Sequence, residues 1–296
     1  MQKFSIQERS PLLKYLFLHC AGMKKTGIKQ MLKYGSIRVN GQVITAFDHP
    51  LKPGDTVELM GKKAALTEKL KNRPEFSIVF EDHSILVVEK PAGLLTMGTE
   101  HEKKKTLYYM LTEYQKAKSI DGHGRLFIVH RLDRDASGLL IFAKGETAKR
   151  ILQRDWSAAT KRYYAITEGT PRPESGVIES HLEEDSFQRV YSTTSASPEA
   201  RLAITHYRLL KTAERCSLLE VELETGRKNQ IRVHLSEMGN PIIGDEKYGA
   251  KTNPLNRLAL HAHELAIEHP VTGEQLVFRS PYPESFKRVI DYKPTK

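Results

Sequence analysis

Reactive side chains concentrate in one short stretch, His130-Arg131-Leu132-Asp133-Arg134-Asp135-Ala136-Ser137-Gly138, which runs directly into the apolar segment Leu139-Leu140-Ile141-Phe142-Ala143. A carboxylate at such a junction sits at the edge of a rigid strand and is partly desolvated, and a neighbouring guanidinium favours its ionised form. Asp133 is therefore the first candidate for a nucleophile or a general base; a carboxylate can serve as either. The competing reading is a turn in which Asp133 accepts hydrogen bonds from nearby backbone amides, a common use of Asp.

His261, His263 and His269 form a second group with chemical potential. A His-x-His pair on a strand places both rings on one face, which invites a metal reading. No Cys or carboxylate pattern at recognised ligand spacing accompanies it, and Glu264 alternates to the opposite face. No metal site is read here.

Further segments carry a pattern in the same order: Lys161-Arg162-Tyr163-Tyr164-Ala165, then Thr225-Gly226-Arg227-Lys228-Asn229-Gln230-Ile231-Arg232-Val233-His234-Leu235, then Gly244-Asp245 with Tyr248-Gly249, then Leu258-Ala259-Leu260-His261-Ala262. With the His-Arg-Leu-Asp stretch, these segments resemble the RluA-type pseudouridine synthases, which isomerise uridine in ribosomal and transfer RNA. The resemblance covers roughly residues 76 to 285. It implies that Asp133 acts on the ribose or the ring, that Arg232 pairs with it, and that Tyr163 rather than the alternating Tyr164 covers the target base. It further implies that Leu260 completes an apolar floor. Arg131 is the candidate to enter the space left by a flipped base, its planar fork able to stack and bond at once. His130 and His234 are read as hydrogen-bonded supports. Ala136 stands where the family usually carries Thr, and Lys228-Asn229 where Thr or Ser and His are common, so the groups supporting the site are expected to differ.

The reaction breaks the bond from ribose to ring nitrogen and remakes it to ring carbon 5. It needs no redox partner, group donor or metal, and no cofactor is expected. A stacked nucleotide is out of reach, so base flipping is implied, at a few kcal/mol.

The elements that must position these residues follow from the rest of the chain. Its 296 residues are enough for two domains. The formal charge of +10 and a pI near 9.4 favour a polyanion as partner, with Lys and Arg spread along the chain as on a folded surface. Charge alone does not separate RNA from DNA or anionic lipid. No apolar run approaches the roughly 20 residues of a membrane span. Met1 to Ser10 has no apolar core of a secretory signal, and Cys20 and Cys216 read as small buried groups in a reducing compartment. The cytoplasm and a monomer are expected.

Residues 1–61 read as a small α/β RNA-binding domain. Ser10-Pro11 opens a helix carrying Leu12, Leu13, Leu16, Phe17 and Cys20, with Pro at the first helical position. A second helix spans about Thr26 to Tyr34 and stops at Gly35. A hairpin follows about Asn40-Gly41, and Lys52-Pro53-Gly54-Asp55 is a turn before a closing strand. The pattern resembles the RNA-binding domain named after ribosomal small-subunit protein S-four, with Lys24, Lys25, Lys29 and Lys33 on the second helix and Arg38 beyond it as the RNA contacts. Residues 62–75 read as a basic linker.

Residues 76–296 read as the catalytic domain. Strands outnumber long helices and no βαβ repetition appears, so an α+β fold with a mixed, mostly antiparallel sheet is expected. Two other classes stay open: a non-catalytic RNA-binding or ribosome-assembly factor, and a metal-dependent hydrolase using the C-terminal histidines.

Overall fold

The computed structural model describes residues 2–20, 22–33, 35–60, 76–100, 102–118, 125–193 and 197–291. The chain divides into two units, Met1–Pro74 with Met110–Arg125, and Glu75–Tyr109 with Leu126–Lys296. The expected linker 62–75 lies outside the described residues.

The first unit holds β1 (Gln2–Ser5), β2 (Ser10–Pro11), α1 (Leu12–His19), α2 (Lys25–Lys33), β3 (Ile37–Val39), β4 (Gln42–Val43), β5 (Pro50–Leu51) and β6 (Thr56–Leu59). A four-stranded sheet runs β1-β6-β3-β4, and β2 pairs with β5. Leu12 and Leu16 of α1 and Ile28 and Leu32 of α2 pack on Ile37 and Val57 of the sheet. Each such burial stabilises by about 1.5–3 kcal/mol. Asn40 (φ 51°) and Gly41 (φ 81°) take the left-handed backbone that the tight turn demands. Asn40 also bonds Asp55 Oδ1 at 2.8 Å and receives the Thr56 amide at 2.9 Å, tying the hairpin to the second turn.

One boundary differs from expectation. Pro11 is not the first helical residue: its ψ of 137° is extended, and it pairs with Pro50 as strand. The helix therefore starts at Leu12, without a side-chain cap from Ser10.

The second unit holds β7 (Ser77–Glu81), β8 (Ile85–Lys90), α3 (Leu107–Lys118, entering the first unit at Met110), β9 (Phe127–Ile128), β10 (Ser137–Ala143), α4 (Glu146–Arg154), β11 (Thr160–Glu168), β12 (Ser175–Glu184), β13 (Val190–Thr193), β14 (Arg201–Thr212), β15 (Cys216–Leu223), α5 (Gln230–Glu237), β16 (Leu260–Glu268), β17 (Gln275–Arg279) and α6 (Glu284–Ile290). Eleven strands join in the order β13-β12-β14-β15-β11-β16-β10-β8-β7, with β17 on β16 and β9 on β10. The sheet is mixed: among the described strands only β10 and β16 run parallel. The fold is α+β, as expected.

All seven residues of β10 are buried, the behaviour of a central strand covered on both faces. Ile141 and Leu139 pack with Ala148 and Leu152 of α4 on one side. Where β10 begins beside β16, Gly138 sits at φ 111°, and a Cβ there would lie 2.1 Å from the Ala262 carbonyl oxygen. Only glycine permits this approach, and it brings the end of the Asp133 segment against the strand that carries Leu260.

Candidate active site

Asp133 lies on the segment between β9 and β10, and its two neighbours are pinned through their backbones. Thr96 Oγ1 donates to the Leu132 carbonyl at 2.8 Å and receives the Leu132 amide at 3.3 Å. The Arg134 carbonyl accepts from the Gly93 amide and from Lys90 Nζ, both at 2.9 Å. Lys90 is fully buried and also donates to the Pro91 and Leu94 carbonyls, at 2.9 and 2.7 Å. Burial pulls its pKa down to about 7, while the negative charges of Asp135 and Asp133 oppose the shift. One ammonium thus joins the Pro91–Leu94 turn to the segment that presents Asp133. The backbone-amide reading of Asp133 does not hold: among the described residues its carboxylate meets Arg232 instead.

Arg232 rises from the first turn of α5. Its Nη1 stands 3.2 Å from Asp133 Oδ2, while its Nε and Nη2 each meet an Asp245 oxygen at 2.7 Å. Asp245 is 1% exposed, Arg232 13% and Asp133 23%, so exposure grows from the buried anchor to the candidate reactive group. Hydrogen bonding to Asp245 and the charges of Asp245 and Asp133 outweigh burial and raise the Arg232 pKa. The Tyr248 ring underlies the guanidinium at 4.9 Å.

Asn229 closes this shell. It adopts left-handed backbone (φ 53°) just before α5, its Oδ1 accepts from Arg232 Nη1 at 3.2 Å, and its Nδ2 donates to the Tyr248 hydroxyl at 3.0 Å. Asn229 is therefore part of the guanidinium's support.

These groups border a cavity of about 300 Å³, at the lower end of ligand-pocket sizes. Asp133, Arg232, Tyr163, Leu260 and Arg131 all line it. Tyr163 is buried on β11, and burial together with the Asp133 charge raises its hydroxyl pKa. Tyr164 points the other way, stacked on His263 at 3.7 Å and edge-on to Tyr282. Arg131 is exposed, with its side chain at the cavity.

The supports expected of the histidines are present. The His130 ring stacks on Trp156 and its Nε2 receives the Ile141 amide at 3.2 Å; burial, and then the Lys161 charge, lower its pKa to about 3. His234 bonds Ser180 and Thr205, and burial lowers its pKa to about 4.

The C-terminal histidines diverge. His261 bridges Ser137 and Ser280 at 2.8 and 2.9 Å, and Ser280 continues to Glu89. His263 lies 3.4 Å from Glu220, and His269 bonds Asp82 at 2.8 Å. Glu264 faces Arg162 and Arg279. No group of three or more His, Cys, Asp or Glu among the described residues could hold a metal ion.

Sequence reasoning missed Lys90, Asp245 and Lys161 as parts of the site. Lys161 lines the cavity and donates to the Trp156 carbonyl at 3.0 Å. The available signals were a lysine closing a strand that opens with four apolar residues, Ile85 to Val88, and an Asp following Gly244.

Of the RNA contacts expected in the first unit, Lys25 and Lys29 are exposed on α2, with Lys25 Nζ 5.5 Å above the Phe17 ring. Lys24 is exposed one residue before α2, and Arg38 is half-buried on β3. The Lys33 side chain lies outside the described residues.

An arginine anchored on the buried Asp245 and turned toward the half-buried Asp133 thus borders a cavity that the buried Tyr163 also lines. Comparison with known proteins gives it a family. Residues 84–237 match the model of the RNA pseudouridylate synthases. The chain is 35% identical to the RNA pseudouridine synthase YhcT of Bacillus subtilis (90% of this chain, 87% of that one). It is 33% identical to ribosomal large subunit pseudouridine synthase D of Vibrio cholerae (88% and 84%). The solved structure of human RNA pseudouridylate synthase domain containing 4 superposes with a TM-score of 0.60 at 25% identity, over 76% of this chain and 94% of that one. The chain belongs to the RluA-type RNA pseudouridine synthase family, and it is an isomerase acting on uridine in RNA.

Proposed function

We propose that this isomerase acts on uridines of structured ribosomal RNA in preference to transfer RNA, flipping the target nucleotide into the cavity beside Asp133. The carrying observation is the Asp133–Arg232 contact at 3.2 Å in a cavity that Tyr163 and Leu260 also line. Asp133 acts as nucleophile or base, held by Arg232. Tyr163 covers the extruded base by stacking, an interaction worth ~1–3 kcal/mol per base. Leu260 forms the apolar floor, and Arg131, exposed and unconstrained by a strand, occupies the space the base leaves. Substrate and product contain the same atoms: the bond from ribose C1′ to N1 breaks, one to C5 forms, the C5 hydrogen leaves as a proton and N1 gains one. The reaction therefore balances without a cofactor.

The ribosomal preference rests on relatives such as the large subunit synthase of Vibrio cholerae. The first unit, S-four-like in pattern, contributes Lys24, Lys25, Lys29, Lys33 and Arg38 to RNA binding, drawn by the chain's +10 charge. The protein works as a cytoplasmic monomer.

Tritium release from RNA labelled at uracil C5 tests the reading, on ribosomal and bulk transfer RNA. The parent releases label, faster from ribosomal RNA, and Asp133→Asn releases none while binding RNA within about threefold of the parent. Turnover by Asp133→Asn sinks the role of Asp133, and release from transfer RNA alone sinks the substrate preference.

A further inference from the structure

Phe187 is 88% exposed, more than any other large hydrophobic side chain among the described residues. Single exposed apolar residues are ordinary on protein surfaces. This one differs in how it is held.

It sits at the apex of the β12–β13 hairpin. The Asp185 carboxylate receives the amides of Phe187 and Arg189 at 2.9 and 2.8 Å, and the Asp185 amide donates to the Arg189 carbonyl at 2.9 Å. Gln188 takes left-handed backbone (φ 59°) to complete the turn. The backbone of the apex is thus held by its own hydrogen bonds, so little backbone entropy remains to be lost when a ligand covers it.

The hairpin is also fixed to the active site. Glu184 pairs with Lys228, which lines the cavity. The Val190 amide donates to the Tyr248 hydroxyl, which also receives Asn229 Nδ2. Arg189 lies 5.6 Å over the Tyr248 ring, whose other cationic neighbours include Arg232 and Lys247, and Lys247 Nζ reaches the Gln188 carbonyl at 2.9 Å. Phe187 is three residues before Val190, within about 10 Å along an extended chain. The backbone that carries Phe187 is therefore fastened to residues around the cavity, with Arg189 two residues on, Lys247 on the Gln188 carbonyl and Lys228 on Glu184.

A solvent-exposed aromatic ring on a hydrogen-bonded turn whose flanking residues meet Arg189, Lys228 and Lys247 has the make-up of a base-stacking platform: cations track phosphates, and a ring face accepts any base. We propose that Phe187 stacks on an unpaired base flanking the target uridine, so that the hairpin aligns the strand while the target occupies the cavity. The partner is the substrate RNA, since a protein-docking patch would call for further apolar surface where the apex instead offers Asp185, Ser186, Gln188 and Arg189. The inference needs only the family's RNA substrate and does not depend on the role of Asp133.

The test is RNA affinity in the Asp133→Asn background, with its tritium release measured alongside, using unmodified large-subunit ribosomal RNA transcript and unmodified bulk transfer RNA as separate probes. Phe187→Ala and Phe187→Leu are expected to weaken binding of the preferred RNA roughly 5- to 150-fold, and Phe187→Tyr to stay within about threefold of Phe. In the active protein the loss in kcat/KM is carried by KM. Equal affinity of all four proteins for both probes overturns the proposal, as does Leu matching Phe, which would mark a greasy contact rather than stacking. The exposed position keeps folding out of the result.

Discussion

Arg232 gives its two best hydrogen bonds to Asp245, at 2.7 Å each, and only one, at 3.2 Å, to Asp133. The guanidinium is anchored on the buried carboxylate and turned toward the exposed one. Asp133 thereby has a cationic neighbour without being locked in a bidentate pair, and an oxygen stays available for chemistry.

Removing the anchor is expected to damage both stability and turnover. Asp245→Ala leaves a buried guanidinium without its main partner, at a cost of about 3–5 kcal/mol. Asp245→Asn, which retains one acceptor, costs less, but Arg232 then rotates and single-turnover isomerisation falls on the order of 100-fold. Urea denaturation and rapid-quench tritium release check the pair; wild-type kinetics in Asp245→Asn would show that the anchor is irrelevant.

Lys90→Met keeps the length and removes the ammonium. The Pro91 and Leu94 carbonyls lose their donor, whereas the Arg134 carbonyl keeps the Gly93 amide. Two orphaned acceptors predict a loss of about 2–5 kcal/mol. Slower turnover should accompany it, because only the Gly93–Arg134 contacts then tie the Asp133 segment to the Pro91–Leu94 turn. Thermal melting together with kcat decides; an unchanged melting point would mean that apolar packing replaces the ammonium fully.

Gly138→Ala forces a Cβ to within 2.1 Å of the Ala262 carbonyl oxygen. Backbone lies on the receiving side, so the β10–β16 junction must separate, and soluble yield should collapse or the melting point fall steeply. Gly27→Ala is the control: nothing lies within 4 Å of the methyl it would add, and in α2 the change should be neutral or stabilising by up to about 1 kcal/mol.

Acid should unfold the second unit early. His130 and His261 have pKa values near 3 and His234 near 4, all lowered chiefly by burial. Unfolded histidine titrates near 6.5. Between these values the unfolded chain binds protons that the folded chain refuses. The contribution to stability is therefore complete above about pH 6.5 and is lost as pH falls toward 4. Three such groups give a limiting slope of about 4 kcal/mol per pH unit. Urea titrations at about pH 7.5, 6.5 and 5.5 measure it, and equal midpoints across that range would contradict the buried, neutral state of these rings.

Much of the site is legible in the sequence. The resemblance of the motifs to the family points to Asp133, Tyr163, Arg232 and Leu260, side-chain chemistry adds Arg131, and all five line one cavity. Strand alternation requires that only one of Tyr163 and Tyr164 face the site, because side-chain direction along a strand has a period of two, and the resemblance selects Tyr163. The Asn40-Gly41 turn, the Gly35 stop and the mixed sheet are likewise written in local chemistry: positive φ, hydrophobic period and the absence of βαβ repeats. The start of α1 is not, because Pro11 is claimed by pairing with Pro50, a distant partner in the chain.

What the amino-acid order determined alone is which groups are candidates for the chemistry and which local conformations many of their segments adopt. What only the tertiary structure decided is who holds them. Asp245 reaches Arg232 from 13 residues away, Lys90 reaches Arg134 from 44, and Asn229 bridges Arg232 to Tyr248. The hairpin that lifts Phe187 into solvent is fastened through the same Tyr248. These partnerships depend on where burial leaves a charge or an amide unsatisfied, and burial is a property of the packed sheet rather than of any one segment.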